Sequence, residues 1–142
     1  NNYAQYYYAV TGQRVTIDDI IHMSEKVYNF QRIFNLRMGF GRRTHDDIPY
    51  RAVGPVTEEE YDSRRERYDI QLTEKVGYDP EGQSTKTKLS MLRKHREQEY
   101  ERLKDAVYRR RGWTSDGVPT LRHVVELGID FPDVTALIKR YQ

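Results

Sequence analysis

Three consecutive arginines, Arg109–Arg111, stand just before Trp113, the single tryptophan of the sequence. Guanidinium groups bind phosphates and an indole can stack on a base, so this pairing could grip a nucleic acid. The arginines also close a longer basic stretch, since eight Lys or Arg and four acids lie between Arg93 and Arg111. Mixed signs at three- and four-residue spacing, such as Arg93 with Glu97 and Glu101 with Lys104, are equally what a solvated helix face carries. The whole-chain charge favours that plainer reading. Lys plus Arg is 24 and Asp plus Glu is 22, a net +2. A dedicated nucleic-acid protein shows a stronger field of one sign.

Other residues with chemical potential do not assemble by spacing. His45, Asp46 and Asp47 could begin a metal site, but no second ligand group matches them, and the same run is ordinary turn chemistry. His22, His95 and His123 are isolated, with no serine or acid spaced to complete a nucleophilic set. His22 is expected to face the core and the other two solvent. Tyr6, Tyr7 and Tyr8 could stack on bases, though such rings more often pack at an interface. There is no phosphate-binding loop and no dinucleotide fingerprint. The sequence has no cysteine, which removes disulfides, thiolate nucleophiles and thiolate metal sites from this chain. No catalytic, cofactor-binding or metal-ligating residue is therefore assigned.

The elements that would carry these residues read as helices. The chain has 142 residues, 32% of them charged, about one domain in length. Mean hydropathy is −0.93, and Leu, Ile, Val and Phe together are few, so the core is expected to be thin and rich in the 12 tyrosines. No apolar run is long enough to span a membrane, and no signal peptide is visible. The first residues, beginning at Asn1, read as part of a packed element, so the chain is expected to start in mid-protein.

A short helix is expected over residues 2–10, stopping at Gly12. Thr16 with Asp19 forms a capping box for a long helix in which Ile17, Ile20, Ile21, Val27, Tyr28, Phe34 and Met38 follow helical spacing. Phe30, Ile33 and Leu36 add apolar surface on other faces. A helix greasy nearly all round is expected to be buried on several sides. Residues 42–55 read as loop. Thr57 caps a helix expected to run to Gly77. A long helix from about Thr85 to Arg111 carries the stripe Leu89, Leu92, Arg96, Tyr100, Leu103 and Val107 and ends at Gly112. The last two long segments are expected to form an antiparallel pair. Short helices follow from Pro119 or Thr120 to Leu127 and from Pro132. The fold class is all-α, with no persistent strand pattern.

Two stretches resemble the aldehyde:ferredoxin oxidoreductase family. In "EKVYNFQRIFNLRMGFGRRTHDDIPYR", the matching positions are Glu25, Asn29, Arg32, Phe34, Asn35, Arg37, Gly39, Arg43, Asp46, Asp47, Pro49 and Arg51. In "VYRRRGWTSDGVPTLRHVVELGI", they are Tyr108, Arg111, Gly112, Trp113, Gly117, Pro119, Thr120, Leu127 and Gly128. Met38, Ile48 and Val107 depart from the pattern at positions that concern packing. The resemblance spans nearly the whole chain except residues 61–92, which look like a subfamily insertion.

The resemblance implies a single helical domain over residues 1–142, the C-terminal domain of a larger enzyme. Such enzymes are anaerobic and cytoplasmic, with a tungsten (or molybdenum) bis-pterin cofactor and one [4Fe–4S] cluster. They oxidise aldehydes to carboxylic acids and pass electrons to ferredoxin, and a related branch reduces benzoyl-coenzyme A. The resemblance implies that the cluster cysteines lie before this part, that the chain by itself holds no cofactor and no activity, and that its partners are the cofactor domains of the same polypeptide. The greasy second half of the Thr16 helix is the expected docking surface. Asp46, Asp47 and Arg51 are expected to pin their loop, and Trp113 to anchor the return of the long helix. Basic residues of the insertion would suit an acidic ferredoxin or an electron-transfer subunit. The rival reading is a stand-alone helical module that binds a protein or, less readily, a nucleic acid. Membrane binding is not expected.

Overall fold

The computed structural model describes residues 2–141. It comprises α1 (Asn2–Thr11), α2 (Ile17–Arg37), α3 (Glu58–Asp62), α4 (Arg65–Gln71), α5 (Thr85–Arg110), α6 (Leu121–Glu126) and α7 (Pro132–Ile138). A π-helical turn, Leu72–Val76, follows α4, and 3-10 turns occupy Arg43–His45 and Tyr50–Val53. The all-α reading holds, and each long helix packs on a helical partner. Among the described residues the nearest thing to a strand is one isolated antiparallel bridge, Trp113 with Pro119. The chain divides into two compact units, one made of the residues up to Asp46 with those from Val107 onward, the other of Asp47–Ala106. The 61–92 stretch lies inside the second.

In the first unit, α2 starts where the sequence places it. Thr16 Oγ1 accepts from the Asp19 amide at 3.1 Å, and the Asp19 carboxylate accepts from the Thr16 amide at 2.8 Å. Both satisfy amides that the first helical turn leaves without partners. Ile33 and Leu36 of α2 join Val118, Val124, Leu127, Ile129, Val134, Leu137 and Ile138 in one buried cluster. Each fully buried aliphatic side chain contributes roughly 1.5–3 kcal/mol, so this cluster is the main source of cohesion. The Tyr141 hydroxyl donates to the Leu36 carbonyl at 2.9 Å, tying the end of the chain to α2. Thr120 caps α6, accepting from the His123 amide, and Pro132 opens α7.

The buried face of α2 is not the expected apolar stripe. It consists of Asn29, Arg32, Ile33 and Leu36. Ile17, Ile21, Val27, Tyr28, Phe34 and Met38 are exposed, as is Phe30. The helix is therefore not enclosed on several sides. The polar residues go inside because each finds partners there. Helix α1, expected to be packed, buries none of its residues.

In the second unit, the helix expected from Thr57 to Gly77 is broken. The Ser63 hydroxyl donates back to the Glu60 carbonyl at 2.8 Å, a local bond that competes with helix continuation. Arg64 leaves helical geometry at φ −137 and ψ 30, and α4 starts after it. Gly77, at φ 70, ends the π-turn in a left-handed conformation that suits glycine. Tyr61, Tyr68, Leu72 and Leu92 form the core, with Val76, Tyr78, Leu89 and Met91 against it. The stripe expected on α5 holds at Leu92 but not at Leu103, which is 58% exposed. Lys88, Arg93 and Lys104 are buried instead. Their long stems pack while their charged ends reach acceptors. The Arg93 guanidinium donates to the carbonyls of Tyr50, Gly54 and Pro55 and lies 3.7 Å from the Tyr50 ring centroid. Lys88 donates to Asp69 at 3.0 Å, and Lys104 donates to Asp47 at 2.6 Å.

Candidate functional site

The first unit is organised around Arg32. Its guanidinium donates to both Asp46 oxygens, at 2.7 and 2.6 Å, and its Nε donates to the Gly117 carbonyl at 2.9 Å. The Tyr108 hydroxyl donates to the same Asp46 carboxylate. The Arg32 guanidinium lies 4.5 Å from the Trp113 ring centroid, and the indole Nε1 donates to Asn29 Oδ1 at 2.7 Å. Burial pushes the Tyr108 phenol up to about 12, and the bond to Asp46 adds to the rise. This hydroxyl is a fixed donor, not an acid–base catalyst for neutral pH. Gly117 allows the cluster to close. Its φ is +78, and a Cβ there would lie 2.3 Å from an Arg32 nitrogen. The cluster joins both motifs quoted above and is complete within itself. It buries polar groups with their partners and leaves no open position for a substrate, so its work is structural.

The other notable feature of this unit is an exposed face. Placed at 3.6 residues per turn, all the charged side chains of α2 and His22 fall on one side, leaving an arc of roughly 220° without charge. Val27 is 59% exposed on that arc and Phe34 58%. Ordinary surface helices show the reverse arrangement. Beside this face, a groove is lined by Ile21, Ser24, Glu25, Tyr28, Val107, Arg110 and Arg111. The Arg111 guanidinium sits over the Tyr28 ring, 3.9 Å from its centroid.

The isolated candidates stay apart. Asp46 belongs to the Arg32 cluster, while Asp47 accepts from Lys104 in the second unit. His45 Nδ1 accepts from the Arg42 amide at 3.4 Å, and its ring meets Phe40 edge-on. The loop is pinned as expected, and Arg51 pairs with Glu60. His22 is exposed, contrary to expectation, because the N-terminal half of α2 has little packed on it. His123 is partly buried rather than solvent-facing. Its Nδ1 lies 3.2 Å from Glu126 and its Nε2 is buried without a partner. Tyr6 and Tyr8 lie on the outside of α1, 65% and 43% exposed. The basic run of α5 does form the expected Arg93–Glu97 and Lys104–Glu101 pairs. Its face is only partly solvated, since Arg93 and Lys104 are buried. Among the described residues, no three His, Asp or Glu gather where they could hold a metal ion, and no helix is long and apolar enough to cross a membrane. Sequence reasoning named the second half of α2 as a docking surface and missed only that the exposed side also takes in Ile17 and Ile21 of its first half. The signal was available in the one-sided placement of its charges.

Compared with known families, residues 1–129 match the family model described as aldehyde ferredoxin oxidoreductase, domains 2 and 3. No curated protein and no solved structure matches the chain.

Proposed function

The chain belongs to the aldehyde ferredoxin oxidoreductase family, and on that premise we propose that it is the C-terminal helical part of a tungsten- or molybdenum-pterin enzyme that oxidises aldehydes to carboxylic acids, with ferredoxin as electron acceptor. The match over residues 1–129 carries this reading. The chain's own residues do not fit an iron–sulfur cluster, which takes thiolate ligands, because the sequence contains no cysteine. We assign it no catalytic, cofactor-binding or metal-ligating residue, and no step of the reaction is routed through it.

Its role in this reading is to wall and support the site. A metal–pterin centre needs a dry shell held rigidly in place. The uncharged face of α2 docks on the cofactor-bearing domain of the same polypeptide, and the Arg32 cluster keeps that face in shape. The exposed apolar arc supports this, since such surfaces mark partners. By itself the chain is then inactive.

The test is anaerobic purification of the full-length protein with metal analysis and an assay of aldehyde-dependent ferredoxin reduction. Tungsten or molybdenum together with iron, and reduction that depends on an aldehyde, is the expected result. Reduction of benzoyl-coenzyme A in place of aldehyde oxidation would move the protein to that branch of the family. A metal-free, inactive protein would leave the rival reading, a helical binding module.

A further inference from the structure

The groove beside α2 holds an arrangement that the domain's own packing does not explain. Arg109, Arg110 and Arg111 follow one another at the C-terminal end of α5, and among the described residues none of them makes an ion pair or hydrogen bond through its guanidinium. The helix end offsets only part of this charge, since its dipole is equivalent to about half an elementary charge. Arg111 is nevertheless held in place. Its guanidinium rests 3.9 Å from the Tyr28 ring centroid and 5.8 Å from that of Trp113, and it is only partly exposed. A partly desolvated cation, oriented by two rings and lacking an anion, is costly unless something completes it. Glu25 lines the same groove but forms no ion pair with it. The rest of the wall is mainly apolar, Ile21, Tyr28 and Val107 with the hydroxyl of Ser24 among them.

We propose that this groove receives a carboxylate-bearing segment with an apolar neighbour, contributed by the remaining domain of the same polypeptide. Arg111, with Arg110 beside it, binds the Asp or Glu side chain, and the apolar residue fills the space against Ile21, Tyr28 and Val107. The proposal rests on the docking reading given above. Charge complementarity selects the occupant, because the groove is lined by two arginines, Arg110 and Arg111, against one carboxylate, Glu25. Burial of the carboxylate against a planar, preoriented guanidinium would also fix the register of docking.

The experiment uses the full-length protein carrying Arg111→Lys, which keeps the charge and supplies a primary amine for carbodiimide coupling. Zero-length coupling followed by peptide mass spectrometry should join position 111 to an Asp or Glu outside residues 1–142 of the same chain. In the unsubstituted protein, Arg110 and Arg111 should react with phenylglyoxal several-fold more slowly than Arg122, whose side chain is 89% exposed. Coupling only to Glu25, coupling to a second copy, or no coupling with rapid phenylglyoxal modification would overturn the proposal. Thiol labelling of a full-length Phe34→Cys variant separates the two readings. If that position is protected while position 111 finds no carboxylate, the docking of α2 stands and the Arg111 assignment falls. If it labels freely, both fall.

Discussion

Arg32 and Asp46 meet fork to fork, two guanidinium nitrogens on two carboxylate oxygens at 2.7 and 2.6 Å, across the joint between α2 and the loop that follows it. The Arg32 side chain is 9% exposed, so the pair lives where a lone charge is expensive. Asp46→Ala removes the anion and leaves the guanidinium buried. The expected loss is roughly 3 kcal/mol of unfolding free energy, read from the midpoint and slope of a urea titration. A loss within about 0.5 kcal/mol, the range of ordinary surface changes, would show that the pair is not structural.

Trp113 and Asn29 form the second tie. Asn29 is fully buried, and its Oδ1 accepts from the indole at 2.7 Å. Trp113→Phe keeps a ring but deletes the donor, leaving a buried acceptor unmatched at a cost of about 1–3 kcal/mol. Trp113→Ala should cost more, roughly 3–5 kcal/mol, because a cavity is added. In the full-length protein Trp113→Ala should also lower metal retention on gel filtration. Unchanged stability and unchanged metal content in that variant would remove Trp113 from its anchoring role.

High pH should loosen the first unit through Tyr108. The unfolded chain releases a tyrosine proton near 10, as free tyrosine does, whereas the folded phenol holds its proton to about 12. Above about pH 10 the unfolded state therefore binds fewer protons, and stability falls as pH rises towards 12. In the second unit Tyr61 acts in the same direction, its pKa raised first by burial and then by its hydrogen bond to Asp69. Thermal unfolding followed between about pH 8 and 11 should show this decline. Tyr108→Phe should flatten it while lowering stability at neutral pH by about 1.5–3 kcal/mol, the usual loss of a hydrogen bond to a charged group. An equally steep decline in the Phe variant would assign the effect elsewhere.

Gly117 is expected to resist substitution. Gly117→Ala puts a side chain at φ +78 and a carbon 2.3 Å from an Arg32 nitrogen. The left-handed backbone conformation alone costs roughly 1–2 kcal/mol for a residue with a Cβ, and displacing Arg32 from the Gly117 carbonyl adds to it. Gly82→Ala serves as the comparison. It has a similar φ of +69 with nothing within 4 Å, so it should lose only the backbone part. Equal losses for the two variants would mean that Arg32 gives way freely.

Charge placed on the α2 face separates folding from docking. Phe34→Glu and Val27→Lys alter exposed positions. Each should change the unfolding free energy of the chain by less than about 0.5 kcal/mol. In the full-length protein both should weaken the hold of this region on its neighbour, seen as faster hydrogen exchange along α2. Exchange that stays slow in both variants would mean that another face is covered.

The boundaries of the elements were written locally. Thr16 with Asp19, Thr120 before α6, Pro132 at the start of α7 and Gly112 after α5 act on neighbours within a turn or two, so the sequence by itself determined where these helices begin and end. It also carried the two motifs that place the chain in its family. One boundary was misread, at Ser63, because a short back-bond and an irregular Arg64 leave little trace in apolar spacing. Which face of each helix turns inward was decided only by the tertiary structure. Periodicity counts apolar residues, and on α2 it selects Ile17, Ile20, Ile21, Val27, Tyr28, Phe34 and Met38, a side that stays outside but for the half-buried Ile20. Asn29 and Arg32 go inside because their partners, Trp113 and Asp46, lie 84 and 14 positions away. A polar side chain is stable in the interior only when its hydrogen bonds are met there, and residues so distant in sequence become neighbours only once the chain has folded. Lys104 on α5 follows the same rule, buried because Asp47, 57 positions away, is waiting for it.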